Sequence, residues 1–147
     1  MKMSLRVNGL WHGVEVEPRT LLVHVLRSLG YTSVRVGCDT ATCGACTVIM
    51  NGRPVKSCNV LAVQADGAEI FTAEHSDEVM YRLKEAFKRR HAAQCGYCTS
   101  GMLATAYHLV KKGVKTEEEI VDGLAGVLCR CTGYQNIVEA VKEAAGV

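Results

Sequence analysis

The chain has 147 residues, a length suited to one domain or two small ones. Seventeen Lys and Arg against fifteen Asp and Glu leave a net charge of +2, which excludes a nucleic-acid binder held mainly by a concentrated basic face. Hydrophobic residues at 48% exclude a disordered chain, and no apolar run approaches the roughly 18–20 residues that cross a bilayer, so no membrane insertion is expected.

The first stretch, MKMSLRVNGLWHG, has neither a continuous apolar segment nor a small-residue cleavage site; no secretory signal is read and a cytoplasmic location is expected. Leu5 and Val7 alternate with Arg6, Asn8-Gly9 marks a turn, and Val14 and Val16 alternate with Glu15 and Glu17, a pattern that predicts a hairpin ended by Pro18. Thr20 is the expected N-cap of a helix carrying Leu21, Leu22, Val25, Leu26 and Leu29, closed by Gly30. Thr47–Met50, β-branched and followed by Asn51-Gly52, predicts a second hairpin, and Ala68–Thr72 a last short strand. Beyond residues 73–78 the period changes from two to 3.6. Val79, Leu83, Ala86 and Phe87 predict one helix; Leu103, Ala106, Leu109 and Val110 a second, ended near Gly113. Thr116 with Glu119 reads as a capping box opening a third, and Ile137, Val138, Val141 and Ala145 define a fourth. The fold class is therefore α+β, a small sheet on one helix (residues 1–76) followed by a four-helix unit (77–147).

Eight cysteines stand out for a chain without a signal peptide. In a reducing compartment such a set is metal-binding or catalytic more often than a disulfide framework. They fall into two sets of four: Cys38, Cys43, Cys46 and Cys58, then Cys95, Cys98, Cys129 and Cys131. In the first set, C-x4-C-x2-C followed by a distant cysteine is the spacing of plant-type 2Fe-2S ferredoxins, and an x4 step leading into the x2 pair does not resemble the spacings of zinc ribbons or fingers. Gly37, Ala41, Gly44 and Ala45 keep that loop small enough to wrap a cluster and aim N–H groups at its sulfurs. Spacing alone leaves zinc open for the second set. Its pairs precede two predicted helices, whose N-termini favour the negative charge of a cluster.

The segments GCDTATCGACTV, QCGYCTSGM and LCRCTGYQNIVEAV, with VEPRTLLVHVLR and VKSCNVLAVQADG, closely resemble the small iron–sulfur subunit of the xanthine oxidase family of molybdenum hydroxylases. The resemblance spans the chain. It implies a β-grasp ferredoxin-like domain and a C-terminal four-helix domain, each with a 2Fe-2S cluster: the first on Cys38, Cys43, Cys46 and Cys58, the second on Cys95, Cys98, Cys129 and Cys131. It further implies a large partner subunit carrying molybdopterin, in its dinucleotide form, and a medium subunit carrying FAD, in a dimer of heterotrimers. Gln94 matches the family glutamine that contacts the molybdenum cofactor, and Cys131 is both ligand and neighbour of the pterin. Ser100 stands where the family usually has proline, and Ala41 where many members have glycine; Ser100 is expected to accept a hydrogen bond at the helix start.

The implied function is electron transfer from molybdenum through the C-terminal cluster, then the N-terminal one, to flavin, with no catalytic residue in this chain. EPRTLLVHVLR and SCNVLAVQADG lean the substrate toward an aldehyde or carbon monoxide; purines, N-heterocycles and aromatic acyl-CoA are the alternatives. A free-standing ferredoxin and a zinc-stapled interaction module are the competing functions. His12, His24, His75, His91 and His108 are scattered and read as structural or solvated. Lys88-Arg89-Arg90 reads as a solvated helix end or a partner-docking patch.

Overall fold

Alternation in KMSLRV turns Met3, Leu5 and Val7 to one face of strand β1 (Lys2–Val7) in the computed structural model, which describes residues 1–147. Strand β2 (Leu10–Glu15) returns antiparallel, with Val7 opposite Leu10 and Lys2 opposite Glu15. Asn8 and Gly9 have φ of 50° and 88°, the left-handed pair that a tight hairpin turn requires. Val16 lies just past the strand, although its N–H still bonds the Met1 carbonyl at 2.8 Å.

Helix α1 (Leu22–Ser28) buries Leu22, Val23, Val25 and Leu26 against the sheet. Thr20 is not its cap. The capping position falls to Leu21, which offers no side-chain bond, because the approach is stitched to a neighbouring turn: the Thr20 carbonyl accepts from Ala62 at 2.7 Å and Leu21 bridges Leu61. Strands β3 (Thr47–Met50) and β4 (Arg53–Lys56) form the second hairpin, and β5 (Glu69–Phe71) completes a five-stranded sheet of order β2-β1-β5-β3-β4. β5 runs parallel to β1 and antiparallel to β3, the mixed sheet expected of a β-grasp.

Four helices follow: α2 (Glu78–Arg89), α3 (Thr99–Lys112), α4 (Glu117–Leu124) and α5 (Gln135–Ala145). The buried stripe of α2 holds Leu83, Ala86 and Phe87 as expected, with Met80 completing it and Val79 partly buried at its edge. Asp77 caps α2, accepting from the Met80 N–H at 2.8 Å and from the Tyr107 hydroxyl at 2.6 Å. Gly113 closes α3 with φ of 85°. The capping box of α4 is half as expected: Thr116 accepts from the Glu119 N–H at 3.2 Å, but the Glu119 carboxylate reaches past Thr116 to the Lys115 N–H. Arg89 and Arg90 both pair with Glu143 of α5, so most of the basic run is engaged within the chain.

Two hydrophobic cores result. Leu5, Val7, Leu22, Leu26, Val48 and Ile70 fill the space between sheet and α1; Met80, Leu83, Met102, Ile120 and Ile137 fill the helical unit. The period of two in β3 joins them, because Val48 faces α1 while Ile49 packs into the helical core. Each such buried aliphatic contributes about 1.5–3 kcal/mol. Two glycines let backbones meet at this junction. A Cβ on Gly101, in the first turn of α3, would stand 2.3 Å from the Gly44 carbonyl; one on Gly44, at φ of 75°, would stand 2.3 Å from the Gly126 carbonyl.

Candidate metal centres

The first cysteine set occupies the loop between α1 and β3 and the turn after β4. Asp39 and Ala41 both take φ of 58°, curling the loop so that the N–H groups of Thr40, Thr42 and Cys43 lie 3.3 Å from the Cys38 sulfur. Alanine at that conformation costs roughly 1–2 kcal/mol that glycine would not, so the Ala41 departure is a strained one. The Ala45 N–H points at the Cys43 sulfur at 3.5 Å. Lys56 ties the loop down, donating to the Ala41 and Thr42 carbonyls at 2.9 and 3.3 Å. Ser57, fully buried, donates to the Cys46 carbonyl at 2.7 Å and fixes neighbouring Cys58 against Cys46. The Thr40 side chain, followed by those backbone N–H groups, lowers the Cys38 thiol to about 6, so the thiolate that binds metal is favoured at neutral pH. Burial, then the Cys46 thiol, pushes Cys58 up to about 11.

The second set is assembled from two distant loops. Cys95 lies within the α2–α3 connection and Cys98 occupies the cap of α3; Cys129 and Cys131 follow α4. Their side chains share a recess of about 220 Å³ with Cys43 and Tyr97. The Tyr97 N–H, then the Cys131 side chain, lower the Cys95 thiol. Burial, then hydrogen bonding to Cys129, pushes Cys98 up to about 12. Burial opposes ionisation of Cys129, but Thr132, whose hydroxyl lies 3.1 Å from its sulfur, leaves its pKa lowered. Only one of the two expected helix starts meets this site directly. Cys98 caps α3, whereas Thr132, Gly133 and Tyr134 intervene between Cys131 and α5. Ser100 is the second residue of α3, and its buried hydroxyl has no hydrogen-bond partner, contrary to the expected acceptor role.

No three His, Cys, Asp or Glu side chains gather around a single-ion position. Instead thiols within each set are near enough to act on one another's ionisation, Cys46 on Cys58, Cys129 on Cys98 and Cys131 on Cys95. Two thiolates per iron is what a two-iron cluster takes, so the donor set fits that group better than one tetrahedral ion.

Several contacts at this junction have no signal in cysteine spacing. The Leu128 N–H donates to the Cys43 carbonyl at 2.8 Å, placing a single hydrogen bond between a cysteine of the first set and the neighbour of Cys129. Arg35 donates to the Gly96 and Tyr97 carbonyls at 2.7 and 3.3 Å and lies over the Tyr97 ring, 5.6 Å from its centroid. The Tyr97 hydroxyl donates in turn to the Val36 carbonyl at 2.6 Å. Gln94, beside Cys95 in the α2–α3 connection, and Cys131, after α4, are both exposed. No histidine joins either set; His12 bonds Tyr31 at 2.8 Å, and His75 lies 3.4 Å from Asp77.

Two all-cysteine loops joined in this way, one on a β-grasp sheet and one on a helical unit, define a two-cluster iron–sulfur protein. Comparison with known proteins agrees. Residues 5–75 match the model of a 2Fe-2S iron-sulfur cluster binding domain, and residues 71–142 that of a [2Fe-2S] binding domain. The small subunit of nicotine 6-hydroxylase from Paenarthrobacter nicotinovorans is 46% identical, over 99% of this chain and 90% of its own. The small FeS subunit of nicotinate dehydrogenase from Eubacterium barkeri is 45% identical, over 97% and 93%. Quinoline 2-oxidoreductase from Pseudomonas putida 86 superposes with a TM-score of 0.90 at 42% identity, over 99% of this chain and 92% of the matched one. The chain belongs to the small iron–sulfur subunits of the xanthine oxidase family of molybdenum hydroxylases. It is an electron-transfer subunit of an oxidoreductase, and no helix is long and apolar enough to cross a membrane.

Proposed function

We propose that Cys38, Cys43, Cys46 and Cys58 hold one 2Fe-2S cluster and Cys95, Cys98, Cys129 and Cys131 the other, in units meeting near residue 76. When bound, each cluster supplies one-electron transfer. Electrons enter at the second set from a molybdopterin centre, in its dinucleotide form, on a large subunit and leave from the first set to FAD on a medium subunit. The observation that supports direct passage between the two sets is the Cys43–Leu128 hydrogen bond; the direction of flow is taken from the family resemblance. Gln94 and Cys131, both exposed here, are the proposed contacts to the molybdenum cofactor. A dimer of heterotrimers in the cytoplasm completes the proposal; it would cover both cysteine loops and leave catalysis to the partner.

Substrate class follows the relatives. Those at 43–46% identity include proteins named for nicotine, caffeine and nicotinate, while aldehyde oxidoreductase subunits stand at 38%. An N-heterocycle is therefore proposed ahead of the aldehyde or carbon monoxide suggested by the sequence. Metal analysis of the purified complex tests the core of the proposal. Two irons and two labile sulfides per cysteine set are expected, with no stoichiometric zinc. Half that iron, or zinc in the helical unit, would sink the two-cluster reading.

A further inference from the structure

Each cysteine loop is held by one cation whose charge lands on loop carbonyls. Arg35 extends from the first loop's entry to the Gly96 and Tyr97 carbonyls, between Cys95 and Cys98. Lys56 reaches from the end of β4 to the Ala41 and Thr42 carbonyls, between Cys38 and Cys43. Both are half-buried, which lessens screening by water. Arg35 is further pinned by the Tyr97 ring, so its charge has a defined position. No carboxylate pairs with either cation: the chain's side-chain ion pairs involve other lysines and arginines.

We infer that Arg35 and Lys56 are positioning cations that set which cysteine set an electron prefers, Arg35 favouring reduction at Cys95–Cys131 and Lys56 at Cys38–Cys58. The inference rests on the proposal that each set holds a cluster. Reduction adds one electron and one negative charge at a site without a required proton, so a fixed cation nearby stabilises the reduced form and raises its potential. With the two cations bound to the carbonyls of different loops, their effects on the sharing of one electron between the sets are opposite in sign.

The test is a redox titration of the intact cluster-loaded complex, each site followed by its own paramagnetic signal. Arg35→Gln keeps a donor and removes the charge; it should shift the electron-sharing equilibrium away from the second set by about tenfold, equivalent to about 59 mV for one electron. Lys56→Gln should shift it away from the first set by a comparable factor. Arg35→Lys retains the charge and should stay within about threefold of the parent. Tyr97→Phe removes a loop hydrogen bond but no charge and should also stay within that range. Shifts of the same sign in the two Gln variants, or a Tyr97→Phe shift as large as that of Arg35→Gln, would overturn the inference. If Arg35→Gln fails to retain iron, the Lys56→Gln arm decides it by the sign of its shift. Absence of two distinct signals in the parent would remove the cluster proposal itself, and this inference with it.

Discussion

The two cysteine loops solve one problem by different means. The first is local: three of its four cysteines lie on one loop, which two left-handed residues, Asp39 and Ala41, fold back until three N–H groups face the Cys38 sulfur. The second is built by convergence, with Cys98 at the start of α3 and Cys129 brought to it by α4 and the loop that follows. Their thiols differ accordingly. Cys38 lies at about 6 because donors point at it, whereas Cys98 lies at about 12 because the helical core buries it. A loop of the first kind carries its geometry in its own backbone. A site of the second kind exists only while the helices remain packed, so it should be the first to fail when the junction is disturbed.

The largest effect should come from cutting the series at the first site. Cys43→Ser in the complex should abolish flavin reduction while the C-terminal cluster still reduces with substrate, as followed by rapid mixing with nicotine, nicotinate, quinoline and an aldehyde in turn. Loss of C-terminal reduction with flavin reduction retained would reverse the proposed order. Next in size are the junction glycines. Gly101→Ala, which presses a Cβ onto the Gly44 carbonyl, should cost about 1–3 kcal/mol, and Gly44→Ala more because its left-handed φ adds strain. Gly126→Ala, with open space at its Cβ position, should stay within about 0.5 kcal/mol. Thermal unfolding measures all three, and the second cluster's signal should broaden before the first's.

Gln94→Ala should leave the unfolding temperature of this chain unchanged, because the side chain is exposed. It should weaken molybdenum retention by about 1–3 kcal/mol, the cost of a lost buried hydrogen bond in the assembly, as read by metal content after dialysis. Smallest is Asp77→Ala, which removes the α2 cap and the partner of Tyr107 for about 1–2 kcal/mol. Burial alone would raise the Asp77 pKa, but the Met80 N–H, the Tyr107 hydroxyl and His75 outweigh it and hold the value below 3.8. Its contribution is therefore complete above 3.8 and is lost as pH falls through the lower folded value. Parent and variant should converge in stability on acidification below about pH 4.

How far each region was legible follows from the same contrast. The x4 and x2 steps between Cys38, Cys43 and Cys46 announce one tight loop, because ligand spacing and backbone curvature belong to the same short segment. Cys95-x2-Cys98 and Cys129-x-Cys131 do not announce each other; their meeting depends on the packing of α3 and α4, which periodicity locates but does not orient. The misplaced Thr20 cap failed for a related reason, since a long-range bond to Ala62 decides the helix entry. Arg35 and Lys56 carried no local signal, because the carbonyls they hold, of Gly96 and Ala41, lie 61 and 15 residues away along the chain.

The central claim is that two clusters sit side by side, one per cysteine set, joined at Cys43 and Leu128. Low-temperature paramagnetic resonance of the dithionite-reduced complex tests it without need of a substrate. The account predicts two signals of equal spin, split by their mutual dipolar coupling, with the first signal and the splitting both absent in Cys43→Ser. A single signal in the parent, or two signals with no splitting, would contradict it.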